Sequence, residues 1–281
     1  MRFTKMQGAG NDFVIIDNTK YELPYEELSA LAKEVCERRV SVGADGLMVV
    51  EKPEKGGDFK MVFFNSDGSE GEMCGNGARC IARYGYENKL AGEVQKIETI
   101  SGTVTGFRIT TQMYEVKLND ASLVKLDVPV QLSAELKDYF GDLSISYVEL
   151  GDPGLPHAVV LLKDLYTKDR EMVKKLGEYL RYYKDFPKGA NVNFCDIIGP
   201  DTVKLLTYER GVEDFTLACG TGSGSTAVVL TKKGLVSGKD TTIINEGGTL
   251  HVSFDDLNNP CREIYLLGPT KVVCEGELID G

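Results

Sequence analysis

Histidine is scarce in this 281-residue chain: only His157 and His251 occur. No Cys-x-x-Cys pair occurs either. Zinc sites and dithiol redox motifs are built from such clusters, so no metal site and no dithiol motif is expected. Long apolar runs are also missing. The longest, Ala158 to Leu162, falls far short of the ~18 residues of a spanning helix. The opening Met1-Arg2-Phe3-Thr4-Lys5 has no apolar h-region, so no secretory signal is expected. Positive charge is in deficit, with 32 Lys and Arg against 43 Asp and Glu, a formal net charge of −11. Such a surface repels nucleic-acid phosphates and anionic lipid heads, so the expected partners include no nucleic acid and no membrane. A single pocket can still select an anion.

What remains is an ordinary soluble composition, 42% apolar and 27% charged, in a chain long enough for two domains. The seven cysteines are an odd number and read as reduced thiols of a cytoplasmic protein. The chain also repeats itself. Phe63-Phe64-Asn65 ends a strand-like run nine residues before Cys74-Gly75-Asn76-Gly77, and Tyr208-Glu209-Arg210 ends one nine residues before Cys219-Gly220-Thr221-Gly222. The two cysteines are 145 residues apart. Gly10-Asn11-Asp12-Phe13-Val14 parallels Gly154-Leu155-Pro156-His157-Ala158 at an offset of 144. Two anchors at nearly one offset indicate a duplicated half.

The local patterns agree. Alternation and β-branched residues predict strands near 2–6, 13–17, 46–51 and 59–65, with three more over 94–118. In the second half they fall near 145–150, 157–162, 191–197, 202–209, 241–254 and 262–275. Apolar residues at helical spacing (Leu28, Leu31, Ala32, Val35, Cys36) predict a helix near 25–38, opened by Pro24. Met172, Val173, Leu176, Leu180 and Tyr183 predict another near 169–184, and two more follow Cys74 and Cys219. The expected fold is α/β (α+β), with two pseudo-symmetric domains from an internal duplication. Each is a curved, mixed or antiparallel sheet around a central helix, with the active site in the interdomain cleft. The expected domains are 1–118 and 119–263, the second entered through a linker near 119–140; the sequence leaves open whether the last strands, about 264–281, return to join the first.

Two cysteines at two helix starts have a specific chemical use. A helix N-terminus carries partial positive charge and unpaired N–H groups, binds carboxylates, and favours a thiolate over a thiol. Glycine at 75, 77, 220 and 222 lets backbone approach a ligand. Inverting an α-carbon needs a base on one face and an acid on the other, and a thiolate facing a thiol supplies both. Cys36, Cys80, Cys195, Cys261 and Cys274 read instead as packing residues, the last three alternating within strands and core or half-buried.

Lys5-Met6-Gln7-Gly8-Ala9-Gly10-Asn11-Asp12-Phe13, Asn65-Ser66-Asp67-Gly68-Ser69-Glu70, Cys74-Gly75-Asn76-Gly77-Ala78-Arg79-Cys80, Tyr208-Glu209-Arg210-Gly211 and Ala218-Cys219-Gly220-Thr221-Gly222 together resemble the diaminopimelate epimerases. The resemblance implies interconversion of LL- and meso-diaminopimelate, on the route to lysine and peptidoglycan precursors, without pyridoxal phosphate, other cofactor or metal, in a cytoplasmic homodimer. It implies Cys74 and Cys219 as the acid/base pair. Asn76, Gly75, Gly220 and Thr221 would surround the reacting carboxylate, with Asn11 at the same end. Asn65, Asn191 and Arg210 would hold the distal carboxylate. Glu209 would lie near the distal ammonium and the thiols, and His157 beside the site.

The chain departs from the family at a few positions. Gly154-Leu155-Pro156-His157 stands where Gly-Asn-Pro-His is usual, so Leu155 replaces a substrate-binding Asn. Gly46 stands where some members carry Gln, and Ser223-Gly224-Ser225 replaces the commoner Ala-Cys-Ala. The resemblance also admits a cofactor-independent racemase of another amino acid, such as histidine or proline, from the same superfamily; the readings of a different class are a thiol redox protein and a two-lobed amino-acid binding module. Asn65, Asn191, Glu209 and Arg210 favour a substrate with a second zwitterionic head.

Overall fold

The computed structural model describes residues 1–71 and 75–279. The chain divides into two compact units, Met1–Lys117 with Leu267–Gly281, and Leu118–Leu266.

The first unit opens with the hairpin of β1 (Arg2–Gly8) and β2 (Asn11–Asp17). Its turn is Ala9-Gly10, with φ of 51° and 96°. Two positive φ values make a turn whose twist matches that of the strands it joins. The turn fixes the place of Asn11. Helix α1 (Tyr25–Cys36) follows, with Pro24 before its first residue and Glu26 and Glu27 in its first turn, where acidic side chains suit the helix dipole. It buries Leu28, Leu31, Ala32, Val35 and Cys36, the stripe read from the sequence. These pack on Val14, Ile16, Leu47, Val49, Val62 and Phe64 of the sheet. β3 (Gly46–Glu51) runs parallel to β2, β4 (Phe59–Asn65) antiparallel to β3, and β5 (Val94–Thr99) parallel to β4. Helix α2 (Gly75–Glu87) lies between β4 and β5 in sequence and is buried nearly all round. β6 (Gly102–Arg108) and β7 (Met113–Lys117) complete an antiparallel meander.

The second unit repeats this plan. β8 (Ala121–Lys125) is antiparallel to β9 (Ser144–Leu150), with helix α3 (Ala134–Phe140) between them in sequence. β10 (Leu155–Leu161) is antiparallel to β9, and β11 (Asn191–Gly199) is parallel to β10. Helix α4 (Arg170–Arg181) connects them. Asp169 caps it by accepting from the Met172 N–H, and Val173, Leu176 and Leu180 are buried. β12 (Thr202–Glu209) is antiparallel to β11, and the short β13 (Asp214–Thr216) pairs with β12. Then come α5 (Gly220–Lys232), β14 (Thr241–Asn245) parallel to β12, and β15 (Gly248–Phe254) antiparallel to β14. β16 (Ile264–Pro269) leads back towards the first unit, and β17 (Lys271–Glu277) pairs antiparallel with β1.

β17 thus holds beside β1 the place that β8 holds beside β9. Each unit is a mixed sheet with one outer helix and one buried central helix, and the second carries α3 in addition. The stretch near 119–140, read as a linker, instead supplies β8 and α3. Its register against β9 is long-range information, whereas Ser133 capping α3 and the buried Leu136 were local signals. Cys274 also departs from expectation. It is exposed, because β17 lies open on both faces within this chain, and Cys261 precedes β16 rather than lying within a strand.

Candidate active site

In the first unit the predicted site residues gather at the start of α2. Cys74 itself lies outside the described residues. Gly75 and Asn76 are the first residues of the helix, and both are buried. Gly8 explains how the helix comes so close to β1. A Cβ there would stand 3.0 Å from Cys80 Sγ and 3.1 Å from the Asn76 carbonyl. Asn76 Nδ2 donates to Asn11 Oδ1 over 2.6 Å, so the two predicted residues meet directly. Asn11 Nδ2 donates to Asp45 Oδ2 at 3.1 Å. Next to it, burial raises the pKa of Asp12, but hydrogen bonds from Arg38 and Lys5 outweigh that and hold the carboxyl below its usual range.

Asn65 ends β4, where it pairs with Gly46 of β3 and donates through Nδ2 to Ser69 Oγ at 3.0 Å. Gly46 has its own steric reason: a Cβ there would run into the Phe63 ring.

In the second unit the predicted residues gather at the start of α5. Cys219 is the N-cap of α5, with extended backbone (φ −118°, ψ 115°), and its Sγ accepts from the Gly222 N–H at 3.3 Å. Thr221 Oγ1 lies 3.5 Å from the sulfur. The Ser223 hydroxyl and N–H both return to the Cys219 carbonyl at 2.9 Å, which fixes the cap. Gly220 is buried and Thr221 half-buried. These are the donors that a helix N-terminus offers to an anion.

Beneath this turn lies a polar layer that the sequence reading missed. Asn193 is fully buried, and a Cβ on Gly222 would run into its Oδ1. The Thr207 hydroxyl donates to that Oδ1 at 3.0 Å, while Nδ2 points at the Ala158 carbonyl (3.2 Å) and at His157 Nδ1 (3.1 Å). With the amide fixed this way, His157 accepts at Nδ1 and carries its proton on Nε2. Nε2 is buried with no partner among the described residues. Burial, and then the charge of Arg210, push the His157 pKa down to about 3, so the ring is neutral. The signal for Asn193 was the alternation Asn191-Val192-Asn193, which puts both amides on one face of a strand.

His157 and Asn191 are register partners across β10 and β11. Asn191 Oδ1 accepts from the Arg210 backbone N–H at 2.8 Å, and Arg210 Nη1 donates to the Lys188 carbonyl at 3.1 Å. Glu209 is half-buried at the end of β12. Leu155 is half-buried at the start of β10, opposite Leu150. Behind this edge Lys188 Nζ donates to Glu149 Oε2 at 2.7 Å, and Tyr147 donates to Oε1 of the same carboxylate at 2.9 Å. Neither Glu149 nor Lys188 was singled out in the sequence. Each unit therefore gathers its own predicted residues, Asn11 with Asn76 in the first, and His157, Asn191, Arg210 and the Cys219 turn in the second. Among the described residues no cluster of His, Cys, Asp or Glu could hold a metal ion, and no helix is long and apolar enough to cross a membrane.

Solved structures of similar fold include a probable proline racemase from Agrobacterium radiobacter, at a TM-score of 0.69 and 14% identity, covering 99% of this chain and 92% of its own. A hydroxyproline epimerase from Agrobacterium vitis superposes with a TM-score of 0.70 at 16% identity, covering 99% of this chain and 90% of its own. A phenazine biosynthesis PhzF-family protein from Enterococcus faecalis does so with a TM-score of 0.70 at 14% identity, covering 99% and 98%. At such identities the likeness gives the fold, one of two similar α/β domains.

Sequence narrows this further. The family model described as Diaminopimelate epimerase matches residues 3–123 and 151–273. The diaminopimelate epimerase of Aquifex aeolicus is 38% identical over 286 residues, covering 99% of this chain and 98% of the relative. That of Methanocella arvoryzae is 38% identical over 290 residues, covering 99% and 96%. The chain belongs to the diaminopimelate epimerase family.

Proposed function

We propose that the protein is an isomerase that interconverts LL- and meso-diaminopimelate without a cofactor, by a two-base exchange between Cys74 and Cys219. The observation that carries the reading is Cys219 at the N-cap of a buried helix, its sulfur accepting a backbone N–H, in a chain matched along its length by the family. In one direction a thiolate takes the α-proton on one face, and the other cysteine's thiol gives a proton to the opposite face. The first cysteine ends as thiol and the second as thiolate, so the enzyme is left ready for the reverse reaction. Between the two transfers the electron pair left on the α-carbon is delocalised into the adjacent carboxylate. N–H groups of Gly75, Asn76, Gly220 and Thr221 at the two helix starts stabilise that charge.

Asn11 binds at the reacting end. Asn65, Asn191 and Arg210 take the distal carboxylate, for which a guanidinium is the best-shaped partner. Glu209 takes the distal ammonium. His157, neutral and buried, supports the Cys219 turn through Asn193. Leu155 supplies an apolar wall where an amide is common, leaving the distal carboxylate to the other three. A cytoplasmic setting, which keeps both thiols reduced, and assembly as a homodimer belong to the same proposal. The test is incubation of purified protein in heavy water with a panel of amino acids and no added cofactor. Deuterium should enter the α-position of diaminopimelate and of no other member. Exchange with another amino acid and none with diaminopimelate would overturn the assignment.

A further inference from the structure

The Asn76–Asn11 pair belongs to a hydrogen-bonded chain whose direction is fixed at both ends. At one end stands Arg79, fully buried one turn into α2. A guanidinium only donates. Its Nη2 gives a hydrogen bond to Asn76 Oδ1 at 2.8 Å, and its Nη1 gives a longer one to the Gly75 carbonyl at 3.3 Å. Asn76 therefore turns its oxygen to Arg79 and its nitrogen to Asn11, reaching Asn11 Oδ1 at 2.6 Å. Asn11 turns its own nitrogen to Asp45 Oδ2 at 3.1 Å, and a carboxylate only accepts.

The two ends of a side-chain amide have nearly the same shape, so only partners decide its direction. A pure donor at one end and a pure acceptor at the other leave one arrangement. Flipping Asn11 would set oxygen against the Asp45 carboxylate, and flipping Asn76 would set nitrogen against the guanidinium. Asp45 is itself held. Arg38 Nη2 donates to its Oδ1 at 2.8 Å, and the Asp12 backbone N–H donates to its Oδ2 at 3.1 Å. Asp12 is gripped in turn by Arg38 at 2.6 Å and Lys5 at 3.0 Å. In this arrangement Asn11 spends its oxygen on Asn76 and one N–H on Asp45. It keeps one further N–H to donate.

We propose that Arg79 and Asp45 are positioning residues that set the direction of the Asn76–Asn11 pair, so that Asn11 meets the ligand as a hydrogen-bond donor and the group it holds is a carboxylate of the substrate. The direction of the chain stands on the geometry, and only the identity of the ligand rests on the proposed function. Neither Arg79 nor Asp45 touches the substrate in this scheme. They act through the two asparagines.

A reversal experiment tests it. Asn11→Asp alone places two carboxylates face to face and should lower the melting temperature. Adding Asp45→Asn rebuilds the bond with its direction inverted, donor now on the residue-45 side, while that nitrogen gives up the contact with the Asp12 N–H. The melting temperature of the double variant should recover in part. Its KM for LL-diaminopimelate should stay at least tenfold above wild type, because residue 11 then offers only acceptors. Recovery of KM to within threefold of wild type would overturn the proposal, since a purely structural bond works in either direction. The Arg79→Gln, Asp45→Asn double variant provides a second reading should Asn11→Asp fail to fold. It removes both the pure donor and the pure acceptor and so releases the Asn76–Asn11 pair to face either way. The preference of the protein for diaminopimelate over its monocarboxamide, measured by calorimetry without turnover, should then fall at least fivefold. An unchanged preference would refute the claim. Wild-type protein that binds the pair with this preference but exchanges no α-proton would sink the proposed reaction and leave the positioning inference standing.

Discussion

Acidification probes the buried imidazole of His157. Burial and the nearby Arg210 hold its pKa at about 3 in the native protein, whereas an unfolded histidine titrates near 6.5. Above that value neither state carries the proton, and the residue adds no pH dependence. Below it the unfolded chain binds a proton that the native site refuses, so stability falls as the pH drops from about 6.5 towards 3. The limiting slope is about 1.4 kcal/mol per pH unit, and the loss between pH 7 and pH 5 comes to about 1.9 kcal/mol from this one ring. Carboxylates contribute to acid unfolding as well, so the measurement is a difference. His157→Gln keeps a polar side chain in the layer with Asn193 and cannot titrate. Urea unfolding of both proteins at half-unit steps from pH 7 to 5 should show the stability gap between them shrinking by about 1.9 kcal/mol. Two parallel pH curves would show that His157 is not held neutral by burial, and the reading of the layer beneath Cys219 would fall with it.

Cys74→Ala and Cys219→Ala should each lower epimerisation by at least about 10²–10⁴-fold with little change in far-UV circular dichroism, since each removes the only acid or base on one face. Substantial turnover by either variant would end the two-thiol mechanism. Gly222→Ala opposes two effects. Alanine is normally favoured over glycine inside a helix by about 1 kcal/mol, but here its Cβ would meet Asn193 Oδ1 and approach Cys219 Sγ to 3.2 Å. Overpacking costs about 1–3 kcal/mol and should win, giving a less stable and slower enzyme; a more stable, fully active variant would contradict the packing of that turn. Arg210→Ala should raise the KM for diaminopimelate by roughly 10–100-fold, the value of a hydrogen bond to a charged group, while Leu155→Asn should lower it by tenfold at most. A mild effect at Arg210, or a weaker substrate complex with Leu155→Asn, would mean that the distal end is bound in another way.

The sequence by itself determined what depends on neighbours along the chain. The i, i+3, i+4 stripe of α1 predicted its buried face residue by residue. The matched Cys-Gly-x-Gly segments marked two similar halves. Helix α4 was legible in the same way, although it stops at Arg181, before the Tyr183 that shared its apolar stripe. Tertiary structure alone decided what depends on partners far away. β17 takes beside β1 the position that β8 takes beside β9, and strand pairing across more than 260 residues leaves no periodic trace in either strand. Cys274 is exposed for the same reason, since its burial depends on what covers the sheet and not on its alternation. Asn193 read as one more polar residue in a strand until Thr207, His157 and Gly222 converged on it. The neutral state of His157 comes from burial, which no local pattern encodes. The direction of the Asn76–Asn11 pair required Arg79 at one end and Asp45 at the other. Hydrogen-bond polarity is a property of the whole chain of partners, and the sequence shows only which partners exist.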